Sequence, residues 1–401
     1  MPMFLRKCLH AVYIALMKTF IYLSPSLRHT TYAGSGSAYQ LCLQVVNSGV
    51  KKLLVVTDKP LRDLGIVDQA IQGLEGSGVD VVFYDGVLPD PTYSQVMEGA
   101  AIAKNHGSEA VLAIGGGSSI DAAKIIAAAA TSDDNPVDWV GHGKVKHDLL
   151  PIYAIPTTSG TGSEATMGAV ISDSETHEKG VTSGPGLLPV AAALDPDLIM
   201  GLPPHITAAT GMDALTHAIE AYISPWERGT RSGDSSMAIK MIFDNLPLVY
   251  HDGSNREARA AMALAAYYAG LAINQVNVGN VHAIAHQIGS RYGIPHGLSN
   301  ALVLPHVLEF CHEEAKGRMA QLAVLIGLGT EGEDDGTLAH KFIKAVRDLR
   351  TEVGIPDHSE LIKREDFDAL TKAAMAEGFL YPAPRLLDRK STEAILNSVA
   401  A

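Results

Sequence analysis

The stretch Ala-Val-Leu-Ala-Ile-Gly-Gly-Gly-Ser-Ser-Ile-Asp-Ala-Ala-Lys, residues 110–124, predicts a buried β-strand, a tight turn and the start of a helix. Its first five residues are apolar without a charge among them, which is typical of a strand covered on both faces. The three glycines that follow let backbone N–H groups approach a ligand phosphate closely, and the helix start adds its partial positive charge. This stretch therefore predicts a phosphate-binding turn in an α/β fold.

The same alternation of strand and helix extends over roughly residues 50–200. Apolar runs that predict strands occupy residues 53–56, 81–83, 110–114, 152–155 and 191–194. Two of the helical patterns between them occupy residues 93–105 and 119–130. This βαβ order predicts a parallel sheet, because parallel neighbours need a crossover between them.

After Pro203-Pro204 the strand-like runs almost vanish, and Ala-rich helical patterns replace them. They occupy residues 208–223, 235–245, 257–273, 281–292, 337–353 and 364–376. Paired prolines break both helix and central strand, so they mark the boundary. We therefore expect an α/β domain with a parallel sheet over residues 24–203 and an all-α domain over residues 204–401.

The first 23 residues predict an amphipathic helix. Apolar residues recur there at helical spacing, at Leu5, Leu9, Val12 and Leu16. A signal peptide is disfavoured because His10 and Lys18 interrupt the apolar run and no small-residue cleavage site follows it directly. We favour a helix docked on the body of the protein over one lying on a membrane surface. No stretch elsewhere reaches the roughly 18 apolar residues of a membrane-spanning helix, so we expect no integral membrane segment.

Composition narrows the range of functions. The chain has 401 residues, 47% of them hydrophobic, so it can bury the cores of about two domains. Its formal net charge of −13 argues against nucleic-acid binding, which needs a basic surface. Three cysteines without C-x-x-C spacing fit a reduced, cytoplasmic protein.

A second polar turn follows the strand at residues 152–155. It reads Pro-Thr-Thr-Ser-Gly-Thr-Gly-Ser-Glu, residues 156–164, and its hydroxyls could bind another part of the same ligand. A triple glycine alone is often only a tight turn, but ligands of open α/β sheets bind where parallel strands end. Asp58 ends an earlier strand, where a carboxylate would accept from ribose hydroxyls and repel a 2′-phosphate. The alternative is that Asp58 merely caps a turn.

The helical half carries a candidate metal site. Asp213 and His217 lie four residues apart on one helical pattern, and so do His282 and His286, so each pair shares a helix face. His296 follows Pro295, which ends or interrupts the second helix. Imidazoles with a carboxylate suit a divalent transition metal such as Fe²⁺ or Zn²⁺. Spacing alone leaves open which two or three of the histidines bind the metal.

Together these motifs resemble the iron-containing (group III) alcohol dehydrogenases, the family of lactaldehyde reductase and the iron-dependent butanol dehydrogenases. The likeness runs from about residue 30 to the C-terminus. Five ordered segments carry it: the triple-glycine turn, the Thr-rich turn, Asp-Pro-Asp-Leu at 195–198, the segment around Asp213 and the run from His282 to His296. The resemblance implies an N-terminal dinucleotide-binding domain and a C-terminal helical domain.

The resemblance also implies roles for individual residues. It assigns the metal to Asp213, His217, His282 and His296, with iron as the expected ion, and places His286 beside the nicotinamide and the substrate. It assigns NAD to a set of residues in the α/β half: Asp58, Asp90, Gly116, Gly117, Ser118, Asp121, Thr157, Thr158, Thr161 and Lys179. The family often has asparagine where this chain has Asp90, and a carboxylate cannot donate a hydrogen bond as the amide does.

The resemblance implies a metal-dependent oxidoreductase that transfers hydride between NAD(H) and a primary or small secondary alcohol or its carbonyl form. The implied partner is a small-molecule alcohol or aldehyde, and the family suggests a homodimer or larger homo-oligomer. One alternative is a lyase or cyclase of the dehydroquinate synthase type, which is disfavoured because the metal-site region is Ala-, Gly- and Ile-rich rather than basic. Another is a non-catalytic NAD-binding homologue, which the complete ligand set disfavours.

Overall fold

A computed structural model of the chain describes residues 3–23, 27–175, 178–227 and 232–401. It contains two compact units, each described here by itself. The sheet unit comprises Leu27–Leu202 and Gly253–Gly270, and the helical unit comprises Met1–Ser26, Pro203–Asp252 and Leu271–Ala401.

Nine strands lie in the sheet unit within the described residues. They are β1 Thr30–Ala33, β2 Lys52–Val56, β3 Asp80–Tyr84, β4 Ala110–Gly115, β5 Gly141–His142, β6 Ile152–Pro156, β7 Gly168–Ser172, β8 Lys179–Ser183 and β9 Ala191–Leu194. Six of them form one sheet in the order β1-β9-β6-β4-β2-β3, and every pair in it is parallel. The other three form a small sheet in the order β5-β8-β7.

Fifteen α-helices lie within the described residues of the whole chain. They are α1 Met3–Leu23, α2 Ser37–Asn47, α3 Lys59–Asp63, α4 Ile66–Ala70, α5 Tyr93–His106, α6 Gly117–Ala129, α7 Pro204–Ile223, α8 Ser232–His251, α9 Arg256–Val276, α10 Asn280–Tyr292, α11 His296–Phe310, α12 His312–Leu325, α13 Asp335–Glu352, α14 Phe367–Gly378 and α15 Arg389–Val399. The sheet unit contains α2 to α6 and the first part of α9, and the helical unit contains the others.

The large sheet is buried on both faces because side chains alternate along each strand. On β2, Leu54 and Val56 pack into the core that includes α5 and α6. Leu53 and Val55 point the other way, into the core that includes α2. Strands covered on both sides read as continuous apolar runs, which is why β2, β4 and β6 were recognisable in the sequence.

The helical unit is built around α7. Every residue of α7 from Gly211 to Ile223 is buried, as expected of a helix surrounded by others. Pro203 is its N-cap and Pro204 its first residue, a position where a missing N–H costs nothing. Within the described ranges, no helix has both the length and the hydropathy that crossing a membrane requires.

The N-terminal helix α1 packs on the rest of the helical unit through Tyr13, Ile14 and Met17, which contact the buried cluster of Ala221, Trp226, Ala272 and Val276. The Trp226 indole donates to the Ile14 carbonyl at 3.1 Å, and the Tyr13 hydroxyl donates to the Leu380 carbonyl at 3.2 Å. The apolar residues expected to face the body are instead exposed: Leu5, Leu9, Val12 and Leu16. That expectation was wrong because the helix packs through a different face, which carries Tyr13, Ile14 and Met17.

The parallel sheet and the helical C-terminal region confirm the predicted fold class. Strands β1, β5, β7 and β8 were not predicted. The predicted domain limits stay predictions; residues 253–270 group with the sheet unit, and residues 24–26, beside the first limit, lie outside the described residues.

Candidate metal and cofactor sites

Three helices of the helical unit bring the four predicted metal ligands together. Asp213 and His217 lie on α7, His282 lies on α10, and His296 lies on α11. Each offers one ligand atom, and all four atoms lie within 4.8 Å of one another. The rings of His217 and His282 stack with centroids 4.7 Å apart. Such a cluster of nitrogen and oxygen donors can surround a single ion.

The protonation of this cluster suits metal binding. Burial, followed by the neighbouring imidazoles, lowers the pKa of His282 well below its usual value, so its ring is neutral and can act as a ligand. The Asp213 side chain supplies the single carboxylate. Three imidazoles and one carboxylate match the donor preference of Fe²⁺ or Zn²⁺ and not the all-oxygen shells of Ca²⁺ or Mg²⁺.

His296 is the first residue of α11, although the sequence placed it in a loop after Pro295. Helix α10 ends at Tyr292, Gly293 follows in the left-handed conformation, and Pro295 is the N-cap of α11. This difference brings a further residue into the cluster. Asn300, one turn after His296, donates from its amide to Asp213 Oδ1 at 2.7 Å. The same nitrogen lies 3.2 Å from His282 Nε2 and 3.1 Å from His296 Nε2.

A buried carboxylate behind the cluster contacts His282 from the other side. Glu220 Oε2 lies 2.6 Å from His282 Nδ1. The backbone N–H groups of Gly279 and Val281 donate to the same carboxylate at 2.7 and 2.6 Å. Burial raises the pKa of Glu220, and these N–H donors oppose that rise. Glu220 was not predicted as a site residue, although it lies three residues after His217 in the same helical pattern.

His286 lies beside the cluster and has a carboxylate partner of its own. Its ring is 5.2 Å from that of His296, and its Nδ1 lies 2.6 Å from Glu377 Oε1. The Tyr381 hydroxyl and the Gln287 amide also donate to Glu377. Burial would raise the pKa of Glu377, but these hydrogen bonds, that of His286 first, hold it below its usual value. His286 is therefore a partly exposed histidine aligned by an ionised carboxylate.

In the sheet unit, the two predicted cofactor turns lie against each other. Gly115 and Pro156 are paired at the ends of β4 and β6, so both turns leave the sheet at the same level. A Cβ on Gly117 would lie 2.6 Å from Thr161 Cγ2, and one on Gly116 would lie 3.4 Å from Thr158 Cγ2. Only glycine fits at position 117. Ser118 is in the first turn of α6, and Thr157 is buried with its N–H donating to Gly115.

Asp121 holds the second turn in place. Its two carboxylate oxygens accept from the Ser163 hydroxyl at 2.5 Å and from the Val170 N–H at 2.9 Å. Fully buried Lys124 donates to the same segment, reaching the Ser163, Thr166 and Gly168 carbonyls at 2.6–2.9 Å. The Asp and Lys of the glycine-turn motif therefore fix the shape of the Thr-rich turn.

Of the other predicted cofactor residues, Asp58 and Lys179 lie at strand ends and Asp90 lies between β3 and α5. Asp58 follows β2 and is the N-cap of α3, where its Oδ1 accepts from the Leu61 N–H at 2.9 Å. Burial raises the pKa of Asp58, and the Leu61 bond opposes the rise. Asp90 and Lys179 form an ion pair at 2.6 Å. Asp90 has a φ of 54°, a conformation that Asp and Asn tolerate better than most residues. Nucleotide contacts at these positions stay predictions.

Comparison with known proteins identifies the family. The model described as "Iron-containing alcohol dehydrogenase" matches residues 29–196, and that described as "Fe-containing alcohol dehydrogenase family, C-terminal" matches residues 207–400. The chain is 38% identical to a 1,3-propanediol dehydrogenase of Klebsiella pneumoniae over 86% of its own length and 91% of the relative's. It is 36% identical to an NAD-dependent methanol dehydrogenase of Bacillus methanolicus, over 88% and 93% of the two chains.

A crystal structure of a 1,3-propanediol oxidoreductase shares the fold with a TM-score of 0.89 and 37% identity, over 92% of this chain and 97% of that one. The two halves of this sequence thus match the two halves of one class of metal-dependent dehydrogenase. The chain belongs to the iron-containing alcohol dehydrogenase family. The predicted family and the predicted reaction class, NAD-dependent alcohol and aldehyde oxidoreduction, are confirmed over the lyase and non-catalytic alternatives.

Proposed function

We propose that this enzyme interconverts short primary alcohols or diols and their aldehydes, with Fe²⁺ held by Asp213, His217, His282 and His296. The observation that carries the proposal is the convergence of these four donor atoms within 4.8 Å. The relatives named for 1,3-propanediol and for methanol support small alcohols as the substrate class. Zn²⁺ suits the same donors, so the choice of Fe²⁺ rests on the family, and the metal-loading experiment tests it.

The two bound groups supply the chemistry that side chains lack: the metal a Lewis acid for the substrate oxygen, and NAD the hydride acceptor. Asp213 and the three imidazoles would hold the ion, and the single carboxylate would offset one of its two positive charges. Asn300 orients the Asp213 carboxylate by donating to its Oδ1 at 2.7 Å.

We assign to His286 the role of accepting the proton of the substrate hydroxyl. Its Nδ1 is engaged by Glu377 at 2.6 Å, so Nε2 is the atom that accepts a proton. The adjacent carboxylate stabilises the resulting imidazolium, and the 23% exposure of the His286 side chain allows the proton to pass to solvent.

For the cofactor, we propose that the pyrophosphate binds the N-terminus of α6 at Gly116, Gly117 and Ser118. Asp121 supports the Thr-rich turn, from which Thr157, Thr158 and Thr161 face the cofactor. Asp58 at the end of β2 selects NAD over NADP, because its charge repels a 2′-phosphate. The Asp90–Lys179 pair borders the nicotinamide ribose. Three unpaired cysteines favour the reducing cytoplasm, and the family favours a homodimer or larger assembly.

The test is anaerobic loading of metal-free enzyme with Fe²⁺ or Zn²⁺, followed by NADH formation across primary alcohols, diols and hydroxy acids. We expect turnover only after loading, with primary alcohols and diols preferred. His282→Ala should abolish turnover and remove most of the bound metal, with three of the four donors left. His312→Ala, a histidine of α12 outside the cluster, serves as the control and should retain both. Full activity in metal-free enzyme would refute the proposal.

A further inference from the structure

Glu220 joins the two helices that carry most of the proposed metal ligands. It lies on α7, the helix of Asp213 and His217, and its carboxylate contacts the first turn of α10, the helix of His282. Two backbone N–H groups donate to it, that of Val281 to Oε1 at 2.6 Å and that of Gly279 to Oε2 at 2.7 Å, and His282 Nδ1 lies 2.6 Å from Oε2. One buried side chain therefore links both ligand-bearing helices.

The space around this carboxylate is tightly filled. The Glu220 side chain is 3% exposed and that of His282 is 2% exposed. A Cβ on Gly279 would lie 2.8 Å from Glu220 Oε1, so the backbone approaches closely only because that residue is glycine. Gly279 is the N-cap of α10 and has no side chain to satisfy the first N–H groups, so Glu220 satisfies them from α7.

The contact with Glu220 determines which ring nitrogen of His282 is free of a proton and can bind a metal. A neutral imidazole carries one N–H, and only the other nitrogen can bind a metal. The Gly279 and Val281 N–H groups both donate to Glu220 and so favour its ionised form, which can only accept hydrogen bonds. An ionised Glu220 favours the proton on Nδ1 of His282 and leaves Nε2 free of it. His282 Nε2 is the atom that lies 3.2 Å from the Asn300 amide, on the side of Asp213 and His296.

We propose that Glu220 is a positioning residue for the metal site, which fixes the tautomer and orientation of His282 so that Nε2 is the ligand atom. This inference rests on the proposed function, because it assumes that His282 binds the ion. Partners of this kind behind a metal-binding histidine typically contribute about 10- to 100-fold to metal affinity.

The test compares two Glu→Gln variants at carboxylates that each lie 2.6 Å from Nδ1 of a histidine on α10. Glu377 is the control because it contacts His286, which is outside the proposed ligand set; its side chain is 26% exposed, against 3% for Glu220. Glutamine preserves volume but replaces one of the two accepting oxygens with an NH₂ group, which donates instead. Co²⁺ and Zn²⁺ affinities, measured by chelator competition on metal-free protein, should fall about 10- to 100-fold in E220Q and less than twofold in E377Q.

Glu220 also caps the start of α10, and loss of this cap in E220Q would weaken metal binding even if His282 were unaffected. A double variant separates the capping role from the role that acts through His282. If Glu220 acts through His282, E220Q should cause no further loss of Co²⁺ affinity in the His282→Ala background. An equal loss in that background would overturn the proposal, and so would wild-type affinity in folded E220Q. Wild-type protein that binds neither metal would instead refute the proposed function.

A measurement on the unaltered chain covers the case in which E220Q does not fold. In Zn²⁺-loaded wild-type protein with ¹⁵N-labelled histidine, long-range ¹H–¹⁵N correlation should show His282 protonated at Nδ1 with the metal on Nε2. A signal for the opposite tautomer would overturn the proposal whatever the behaviour of the variants.

Discussion

Replacing Gly117 by alanine should push the two cofactor turns apart. The added Cβ would lie 2.6 Å from Thr161 Cγ2 and 2.8 Å from Thr161 Oγ1. Carbon atoms in contact are normally about 3.5–4.0 Å apart, so one turn must move by about 1 Å. Gly117 is the first residue of α6 and needs no left-handed backbone, so this steric effect is the main consequence of the change.

The free-energy cost of Gly117→Ala follows from this displacement of the turn. Overpacking of this kind costs about 1–3 kcal/mol, and the better helix preference of alanine offsets at most about 1 kcal/mol of it. A net cost of about 1–2 kcal/mol at the binding surface corresponds to NADH binding weakened roughly 5- to 30-fold.

The assay is titration of NADH fluorescence with Gly117→Ala and with a control, Gly168→Ala. Gly168 lies at the start of β7 in the same unit, and a Cβ there has no atom within 4 Å. The control should bind NADH as the wild type does. Wild-type affinity in Gly117→Ala would refute the reasoning, because the turns would then be loose enough to absorb a methyl group.

Three further predictions test the assigned residues. Asp58→Asn keeps an acceptor for the Leu61 N–H but removes the charge, so the preference for NAD over NADP in kcat/KM should fall on the order of tenfold; an unchanged ratio would leave Asp58 as a turn cap only. His286→Gln should lower kcat about 10²- to 10⁴-fold while metal content, measured by mass spectrometry, stays at the wild-type level; loss of the metal would make His286 a ligand instead. Burial lowers the pKa of His29 from 6.5 to about 4, so below pH 6.5 the unfolded chain binds a proton that the folded protein does not. Stability in urea should therefore fall between pH 6.5 and pH 4, by about 2 kcal/mol once solvent screening is allowed for, and His29→Asn should flatten this fall.

The sequence predicted those parts of the fold in which local pattern and burial coincide. Strands β2, β4 and β6 were located within one residue at each end, because both faces of the sheet are covered and the runs are purely apolar. Strand β1, Thr30–Ala33, was missed because it is a short edge strand with exposed ends. Helix α11 was missed because Pro295 suggested a break and Pro305 lies inside the helix.

The sequence predicted those parts of the site that depend on the spacing of residues along a helix. Residues four apart share a face, which placed Asp213 with His217 and, unnoticed, His296 with Asn300. Spacing could not separate His282 from His286, because their carboxylate partners come from 62 and 91 residues away in the chain. Only the family resemblance assigned one to the metal and the other to the proton.

The central claim is that three imidazoles and one carboxylate bind one divalent ion. X-ray absorption at the iron K-edge of anaerobically loaded protein measures this shell directly. We expect one iron per chain, a shell of nitrogen and oxygen without sulfur, and scattering from three imidazole rings. Any iron that His282→Ala retains should show scattering from only two rings. Iron that does not bind stoichiometrically, or a shell without histidine, would contradict the account.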